Sequence, residues 1–188
     1  VMLAAALSVG SLFPAALTVQ AETDDAEEPE QETEATETEK TPDLHDYDFT
    51  CAFAGDINLA DNWNTMEFYE QQENEIYDCI DPQLIQEMQQ ADLTCVNLEF
   101  CMSDRGTPME GKMYTFRAKP ERAEILKELG VDLANLANNH IYDYGTDAFL
   151  DTLSILDENG IAHAGAGTDA AEAEEPFYTE IDGRTVAV

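Results

Sequence analysis

The sequence predicts an α/β domain built on a largely parallel sheet, and three observations support this fold class. Short apolar runs that suit buried strands alternate with segments whose apolar residues recur at helical spacing. The unit of helix, then Gly or Ala-Asp, then strand occurs three times, which favours parallel strands joined by right-handed crossovers. Polar side chains close three of the apolar runs, at the sheet edge where α/β proteins bind ligands.

The first half of this domain contains two predicted strands and one predicted helix. The run 49–56 is short and apolar, as in a buried strand. Residues 57–81 show no clean period, so we expect a long loop with one helical turn. Asp81 and Pro82 suit the N-cap and first turn of a helix, and the run 91–99 is the second predicted strand.

The second half continues the same alternation after a polar loop at 102–113. Gly130 and Gly160 mark the ends of two predicted helices, and Asp182-Gly183 predicts a type I′ turn. The predicted elements are, in order, an extended segment at 114–118, a helix at 120–129, a strand at 131–137, a helix capped by Thr146 and ending at Glu158, a strand and turn at 161–167, a short helix at 170–174, and a hairpin of 177–181 and 184–188.

The charge of the chain is strongly acidic, with 41 Asp and Glu against 8 Lys and Arg and a net charge of -33. We therefore expect no nucleic-acid partner, because nucleic-acid binding depends on neutralising phosphates with Lys and Arg. Much of the acid lies in residues 22–48, which cannot bury enough apolar surface to fold. We expect a disordered acidic linker there, and a functional acidic tail is the alternative.

The first 21 residues resemble the apolar part of a secretory signal, followed by a small-x-small cleavage site at Val19-Gln20-Ala21. The basic n-region is missing. An uncleaved membrane anchor is the alternative, although Pro14 interrupts the segment and its length barely suffices to span a bilayer. Both alternatives predict an exported protein, either extracellular or anchored at the outer face of the cytoplasmic membrane.

The four cysteines show no spacing typical of a zinc site. Cys51 and Cys95 lie in apolar runs, where buried free thiols are expected. A disulfide between Cys79 and Cys101 is compatible with an exported protein, and the sequence leaves that pairing open.

Side chains of the types that bind metals follow three successive predicted strands. They are Asp56, the pair Asn97 and Glu99, and the run Asn138, Asn139 and His140. The carboxyl ends of parallel strands meet at one edge of a sheet, so we expect these side chains within reach of one another. Carboxylate, amide and imidazole groups form the ligand set of Mg, Mn, Fe or Zn phosphoesterase-type sites. Two such metals about 4 Å apart can hold a water nucleophile and the oxygens of an in-line displacement.

Each of these residues also has a purely structural alternative. Asp56 could cap a turn, Glu99 could be a solvated surface charge, and the two asparagines could be turn residues. His140 could be a hydrogen-bonded structural histidine, and we interpret His163 as structural or at the rim. The joint occurrence of these residues at three successive strand ends favours a site.

The sequence also carries motifs known from one protein family. They are Phe53-Ala-Gly-Asp56, Asn97-Leu-Glu99, Tyr114-Thr-Phe-Arg117, Leu136-Ala-Asn-Asn-His140 with Asp143-Tyr-Gly145, and Gly165-Ala-Gly167. In this order and spacing they resemble the poly-γ-glutamate capsule biosynthesis proteins of the CapA type, a branch of the calcineurin-like metallophosphoesterase superfamily. The resemblance implies a layered metallophosphoesterase-like sheet sandwich flanked by helices. Residues 49–188 would be its N-terminal part, so that the fold is incomplete at the C-terminus.

The resemblance also implies roles for individual residues. The metal ligands would be Asp56, Asn97, Glu99 and Asn139, and they would hold two divalent metal ions. His140 would assist the leaving group or stabilise the transition state rather than bind metal, and Asp143 would orient either His140 or the loop.

The first motif departs from the superfamily pattern Asp-x-His, because Asn58 stands where that pattern has a histidine ligand. Asn58 and Arg117 are our candidates for substrate binding. The later histidines that complete the metal shells would lie beyond Val188, so we expect an incomplete site that binds metal poorly.

Two functions are compatible with these features. The first is an exported metal-dependent hydrolase or transferase that acts on a phosphoester, or on a peptide-like bond, in the synthesis of a cell-surface polymer such as the poly-γ-glutamate capsule. The second is a non-catalytic polymer-binding or export component of a membrane-associated synthesis complex. An acidic protein repels an anionic polymer, so polymer binding would need a bridging metal or a local group of cations. The candidate cations are Arg105, Lys112, Arg117 and Lys119.

Overall fold

The computed structural model describes residues 49–61 and 63–188. The predicted signal or anchor (1–21) and acidic linker (22–48) lie outside the described residues. Within the described part, no helix combines the length and the apolar character that a membrane crossing requires.

The described chain alternates strands and helices, as predicted. Its strands are β1 (Cys51–Ile57), β2 (Leu93–Leu98), β3 (Cys101–Met102), β4 (Arg117–Ala118), β5 (Leu133–Asn135), β6 (Ala162–Ala164), β7 (Tyr178–Ile181) and β8 (Arg184–Ala187). Its α-helices are α1 (Asn64–Tyr69), α2 (Pro82–Gln90), α3 (Ala123–Glu128), α4 (Gly145–Glu158) and α5 (Ala170–Ala173). Two 3-10 turns, Glu75–Asp78 and Pro120–Arg122, complete the list of helical segments.

Four of these strands form one parallel sheet with the order β1-β2-β5-β6. The α/β class and the parallel sheet are therefore confirmed. Each crossover in this order moves to the next strand in the same direction, so right-handed connections place their helices on the same face of the sheet. Two small sheets accompany it, a parallel pair of β3 with β4 and an antiparallel hairpin of β7 with β8.

The two faces of the main sheet carry cores of different size. Alternate residues of β2 point to opposite faces, so Val96 and Leu98 belong to a large core shared with α2, α3 and α4. On the other face, Leu93 and Cys95 belong to a smaller core that the β7–β8 hairpin closes with Ile181. Phe53 lies beside Cys95 in the register and is 68% exposed, so this second face is only partly covered.

Several local predictions are confirmed by backbone geometry. Asp81 caps α2 by accepting a 2.8 Å hydrogen bond from the backbone N–H of Gln83. Asp182 and Gly183 both have positive φ angles, 49° and 73°, which is the type I′ geometry that suits a two-residue hairpin turn.

Other local predictions are wrong in informative ways. Thr146 does not cap α4, because the helix already begins at Gly145 and the Thr146 hydroxyl bonds the phenol of Tyr142 instead. The strand predicted at 131–137 has only three residues in ladder pairing. The segment 57–81, predicted as a loop with one helical turn, contains α1 and a 3-10 turn.

The four cysteines are all free thiols. Cys95 is buried as expected, whereas Cys51 is only half-buried. The disulfide considered between Cys79 and Cys101 is absent from the structure; Cys101 is fully buried, and its Sγ lies 3.4 Å from the carbonyl oxygen of Phe116. Burial and the nearby charge of Asp143 raise the pKa of the Cys101 thiol to about 12.

Candidate functional site

The site lies at the carboxyl ends of β1, β2 and β5. Asp56 on β1 is the register partner of Asn97 on β2, and an irregularity in β1 between Phe53 and Asp56 shifts the pairing just before this point. The Asn97 amide donates to Asp56 Oδ1 at 2.8 Å and to Glu99 Oε2 at 2.5 Å. One amide group therefore lies between two carboxylates and is their shared hydrogen-bond donor.

The carbonyl oxygen of the Asn97 side chain is engaged as well. It accepts hydrogen bonds from Asn135 at 2.9 Å and from Asn138 at 3.2 Å. Asn138 also donates to the backbone carbonyl of Leu98 at 2.8 Å, and its own oxygen accepts from the backbone N–H of His140 at 2.9 Å. This asparagine network ties the turn after β5 to the end of β2 and fixes the position of His140.

The imidazole of His140 lies between two carboxylates. Its Nδ1 is 2.7 Å from Asp143 Oδ2, and its Nε2 is 3.8 Å from Glu99 Oε1. Because Asp143 is a carboxylate acceptor, the tautomer with a proton on Nδ1 is favoured, and Nε2 is then the unprotonated nitrogen on the Glu99 side.

Asp143 is fully buried and has three partners. The backbone N–H of Phe116 donates to its Oδ2 at 2.7 Å, Lys112 Nζ pairs with its Oδ1, and His140 makes the third contact. Lys112 also donates to the backbone carbonyl of Asn139. The buried carboxylate is thus compensated by a cation and hydrogen-bond donors, as a buried charge requires.

An aromatic row extends from His140 toward solvent. The ring of Phe116 lies 4.3 Å from the imidazole of His140, and Trp63 packs edge-on against Phe116 at 5.0 Å between ring centroids. Tyr114 lies 5.9 Å from Trp63 on the outer side. These rings wall one flank of the site.

The structure brings five of the eight predicted site residues into one continuous series of contacts. They are Asp56, Asn97, Glu99, His140 and Asp143. Asn139 is exposed beside them and enters the network through its main-chain carbonyl. Asn58 lies two residues beyond Asp56, where its Oδ1 accepts from the backbone N–H of Ala60 at 2.9 Å.

Arg117 is directed away from this series of contacts. Its guanidinium stacks on the ring of Tyr144 at 4.4 Å and donates to the backbone carbonyl of Arg105 at 2.9 Å. Arg105 in turn pairs with Asp151, and this hydrogen bond lowers the pKa of the Asp151 carboxyl below its usual value. An anionic polymer would therefore have to compete with internal partners for Arg105, Lys112 and Arg117.

The donor atoms at the edge fit a hard divalent cation better than a zinc site. Among residues 49–61 and 63–188, no three side chains drawn from His, Cys, Asp and Glu are clustered closely enough to hold a metal ion by themselves. Asp56 and Glu99 present carboxylate oxygens around one shared donor, and Asn139, next to His140 in the chain, is exposed. Oxygen ligands of this kind suit Mg or Mn, with further oxygens completing the shell. The Asn97 oxygen already accepts two hydrogen bonds, so ligation by Asn97 stays a prediction.

Three contributing residues were not predicted as parts of the site. Asn135 had a usable signal, since it follows Leu133 by two positions on one face of β5 and is a polar residue in an apolar strand. Phe116 lies in the motif Tyr114-Thr-Phe-Arg117 and Lys112 is among the candidate cations, but no signal placed either residue at Asp143, because they come from a connection 27 or more residues away along the chain.

Comparisons with known proteins agree with the motifs. The family model described as "Bacterial capsule synthesis protein PGA_cap" matches residues 50–188. An uncharacterized protein of Sinorhizobium fredii is 34% identical over 111 residues, which cover 56% of this chain and 24% of that protein. The capsule biosynthesis protein CapA of Bacillus anthracis is 36% identical over 70 residues, covering 37% of this chain and 17% of that protein.

A probable polyglutamine synthesis accessory protein of Mycobacterium tuberculosis is 34% identical over 82 residues, covering 44% of this chain and 22% of that protein. The chain thus spans less than a quarter of the length of these curated relatives.

Proposed function

The chain belongs to the bacterial capsule synthesis protein family, and from that membership we propose a metal-dependent phosphoester hydrolase or transferase of capsule polymer synthesis. The single observation that carries the chemical part is the continuous series Asp56, Asn97, Glu99, His140 and Asp143 at one sheet edge. It combines two carboxylates able to hold a cation with a histidine whose Nδ1 is bonded to the buried carboxylate of Asp143. That combination serves in-line displacement at phosphorus.

In this proposal Asp56, Glu99 and Asn139 hold one or two divalent cations, of which Mg or Mn fits the oxygen donors best. A bound cation would polarise a phosphoryl oxygen and make a coordinated water more acidic. Asn97 positions the two carboxylates by donating to both.

His140 is the proposed proton-transferring group. Asp143 holds its Nδ1 proton, so Nε2 is the atom that accepts a proton from the nucleophile or returns one to the leaving group. Lys112 pairs directly with Asp143 inside the domain. The role of Asp143 and Lys112 is therefore to position His140 and fix its tautomer.

The polymer and the cellular location are also part of the proposal. Two relatives are named as a capsule biosynthesis protein and as a probable polyglutamine synthesis accessory protein. These names support poly-γ-glutamate as the product of the pathway. The signal-like residues 1–21 support export, with the described domain on the outer side of the cytoplasmic membrane. The partly covered second face of the sheet, where Phe53 is 68% exposed, supports a layered sandwich in which a further layer packs on that face.

The non-catalytic alternative is a polymer-binding accessory component, favoured by the word accessory in the name of the mycobacterial relative. It requires cations that face the polymer. Three of the four candidate cations already have internal partners, so we rank this function second.

The experiment measures hydrolysis of bis-p-nitrophenyl phosphate by the full chain with Mn²⁺, and compares His140→Ala with the matched control His163→Ala. His163 lies on β6 with its Nε2 3.5 Å from Asp157 of α4, and it has no contact with the series Asp56, Asn97, Glu99, His140 and Asp143 among those found in the described residues. We expect cation-dependent turnover that His140→Ala reduces by roughly 100-fold, the contribution of a general acid–base group. Turnover that needs no added cation, or equal losses in both variants, would overturn the enzymatic proposal.

A further inference from the structure

A small cavity beside the site has a composition that the proposed phosphoester chemistry does not use. It has a volume of about 180 Å³ and is lined by Asn58, Trp63, Asn64, Thr65 and Phe116. Pockets for drug-sized ligands begin at about 300 Å³, so this one suits a single ring-sized group rather than an extended ligand.

The cavity lies directly beside the reacting edge. Asn58 follows Asp56 by two residues, and Phe116 stacks on the imidazole of His140 at 4.3 Å. A group held in the cavity would therefore lie near the side chains of the proposed site.

The lining defines what can bind. Trp63 and Phe116 meet edge-to-face at 5.0 Å and 71°, which forms an apolar corner with one broad indole surface. Trp63 is 36% exposed, so part of its ring is available to a ligand. An aromatic surface of this kind favours a ligand with one apolar face.

The remaining three side chains are neutral and hydrogen-bonding. Asn58 uses its oxygen internally but retains its amide N–H groups, and Asn64 and Thr65 are exposed at the cavity. No charged side chain is among the five residues that line it, although the chain as a whole is strongly acidic. The lining thus provides no counterion for a glutamyl carboxylate, and its donors and acceptors match hydroxyl groups.

An apolar face combined with an edge of hydroxyl groups is the chemistry of a pyranose ring. We propose that this cavity is a subsite for a neutral hexopyranose unit, stacked on Trp63 and hydrogen-bonded by Asn58, Asn64 and Thr65. Its assignment as part of the substrate, a sugar-bearing phosphoester, rests on the proposed function. Binding of the sugar ring itself does not, because the cavity needs neither a cation nor His140 to hold it.

Trp63 provides a direct test, since it is the only tryptophan among the 188 residues. The full chain, without added metal, is titrated with a panel of methyl hexopyranosides while tryptophan emission is recorded. We expect a saturable change with at least one of them. Asn64→Ala should weaken that binding roughly two- to tenfold, as expected for the loss of one hydrogen bond, whereas Gln86→Ala on the exposed surface of α2 should not.

Two probes test the ligand class. Saturation-transfer NMR on the same glycosides detects binding independently of the indole and so covers a ligand that leaves its emission unchanged. Adenosine and γ-glutamyl-glutamate are titrated in parallel as an aromatic and an anionic ligand. Absence of glycoside binding by both methods, equal affinity in Asn64→Ala, or saturation by adenosine or the dipeptide alone would overturn the proposal. Loss of phosphoester turnover with glycoside binding intact would count against the proposed function only.

Discussion

The two halves of the site differ in how firmly the fold holds them. The half after β5 is built around Asp143, which is fully buried and has Lys112, Phe116 and His140 as partners. The half at the end of β1 is built around Asp56, which is exposed and receives one hydrogen bond, from Asn97 at 2.8 Å. The fold thus fixes His140, the proposed proton-transfer group, whereas it leaves Asp56, a proposed cation ligand, accessible.

This difference matches the roles proposed for the two halves. A histidine that transfers a proton needs one tautomer and one orientation, and a buried acid supplies both. A carboxylate that receives a cation must stay open to solvent and must not be neutralised by a permanent ion pair. Asn97 satisfies that condition because a neutral amide steadies Asp56 and Glu99 without cancelling their charges.

The largest effect is expected from breaking the buried half. Asp143→Ala leaves the backbone N–H of Phe116 without its acceptor, and it leaves the partly buried ammonium of Lys112 without its counterion and with only the carbonyl of Asn139 as acceptor. Removing one partner of a buried ion pair costs about 3–5 kcal/mol, and we expect that loss in the free energy of unfolding measured by urea denaturation. Asp147→Ala is the matched control, because Asp147 is a nearby carboxylate in the first turn of α4 whose side chain is 65% exposed. Equal losses in the two variants would contradict the asymmetry between the halves.

An intermediate effect is expected from filling the open half. If Mn²⁺ binds only the folded chain, a free Mn²⁺ concentration of about 100 times the Kd should add about 2.7 kcal/mol to the free energy of unfolding. Asp56→Asn should abolish this gain with little change in the absence of Mn²⁺, since the amide can still accept the hydrogen bond from Asn97. Asp104→Asn, at an exposed position away from the site, serves as the control for nonspecific attraction of cations to an acidic chain. A gain that persists in Asp56→Asn would show that the cation binds elsewhere.

The strand-end residues of both halves could be predicted from the sequence, whereas the partners that surround Asp143 from the distant connection could not. Asp56, Glu99 and His140 meet because parallel strands bring their carboxyl ends to one edge, which depends only on element type and order. Lys112 and Phe116 reach Asp143 from a distant connection whose path has no periodicity to reveal it.

The turn after β5 also has a feature that the sequence could not predict. Spacing alone does not decide which of Asn138 and Asn139 points inward in an irregular turn, and the structure joins Asn138 to Asn97 while Asn139 is exposed. The pairing of β3 with β4 escaped prediction because strands of two residues carry no alternation.

The smallest effect is expected at the salt bridge between Arg105, in the chain segment that connects β3 to β4, and Asp151 on α4. The hydrogen bond from Arg105 lowers the folded-state pKa of Asp151 below its ordinary value of 3.8, so the carboxylate contributes stability above that pH. The contribution is lost as the pH falls below 3.8 and through the folded-state pKa, because the unfolded chain then takes up the proton more readily.

Asp151→Asn should therefore destabilise the domain slightly near neutral pH, much less than Asp143→Ala, because solvent screens the exposed pair. The difference in the free energy of unfolding between Asp151→Asn and wild type should shrink when urea denaturation is measured at acid pH. A loss of unfolding free energy as large as that of Asp143→Ala, or one that does not change with pH, would contradict this prediction. It would show that the Arg105–Asp151 pair stabilises the domain as much as the buried Lys112–Asp143 pair does.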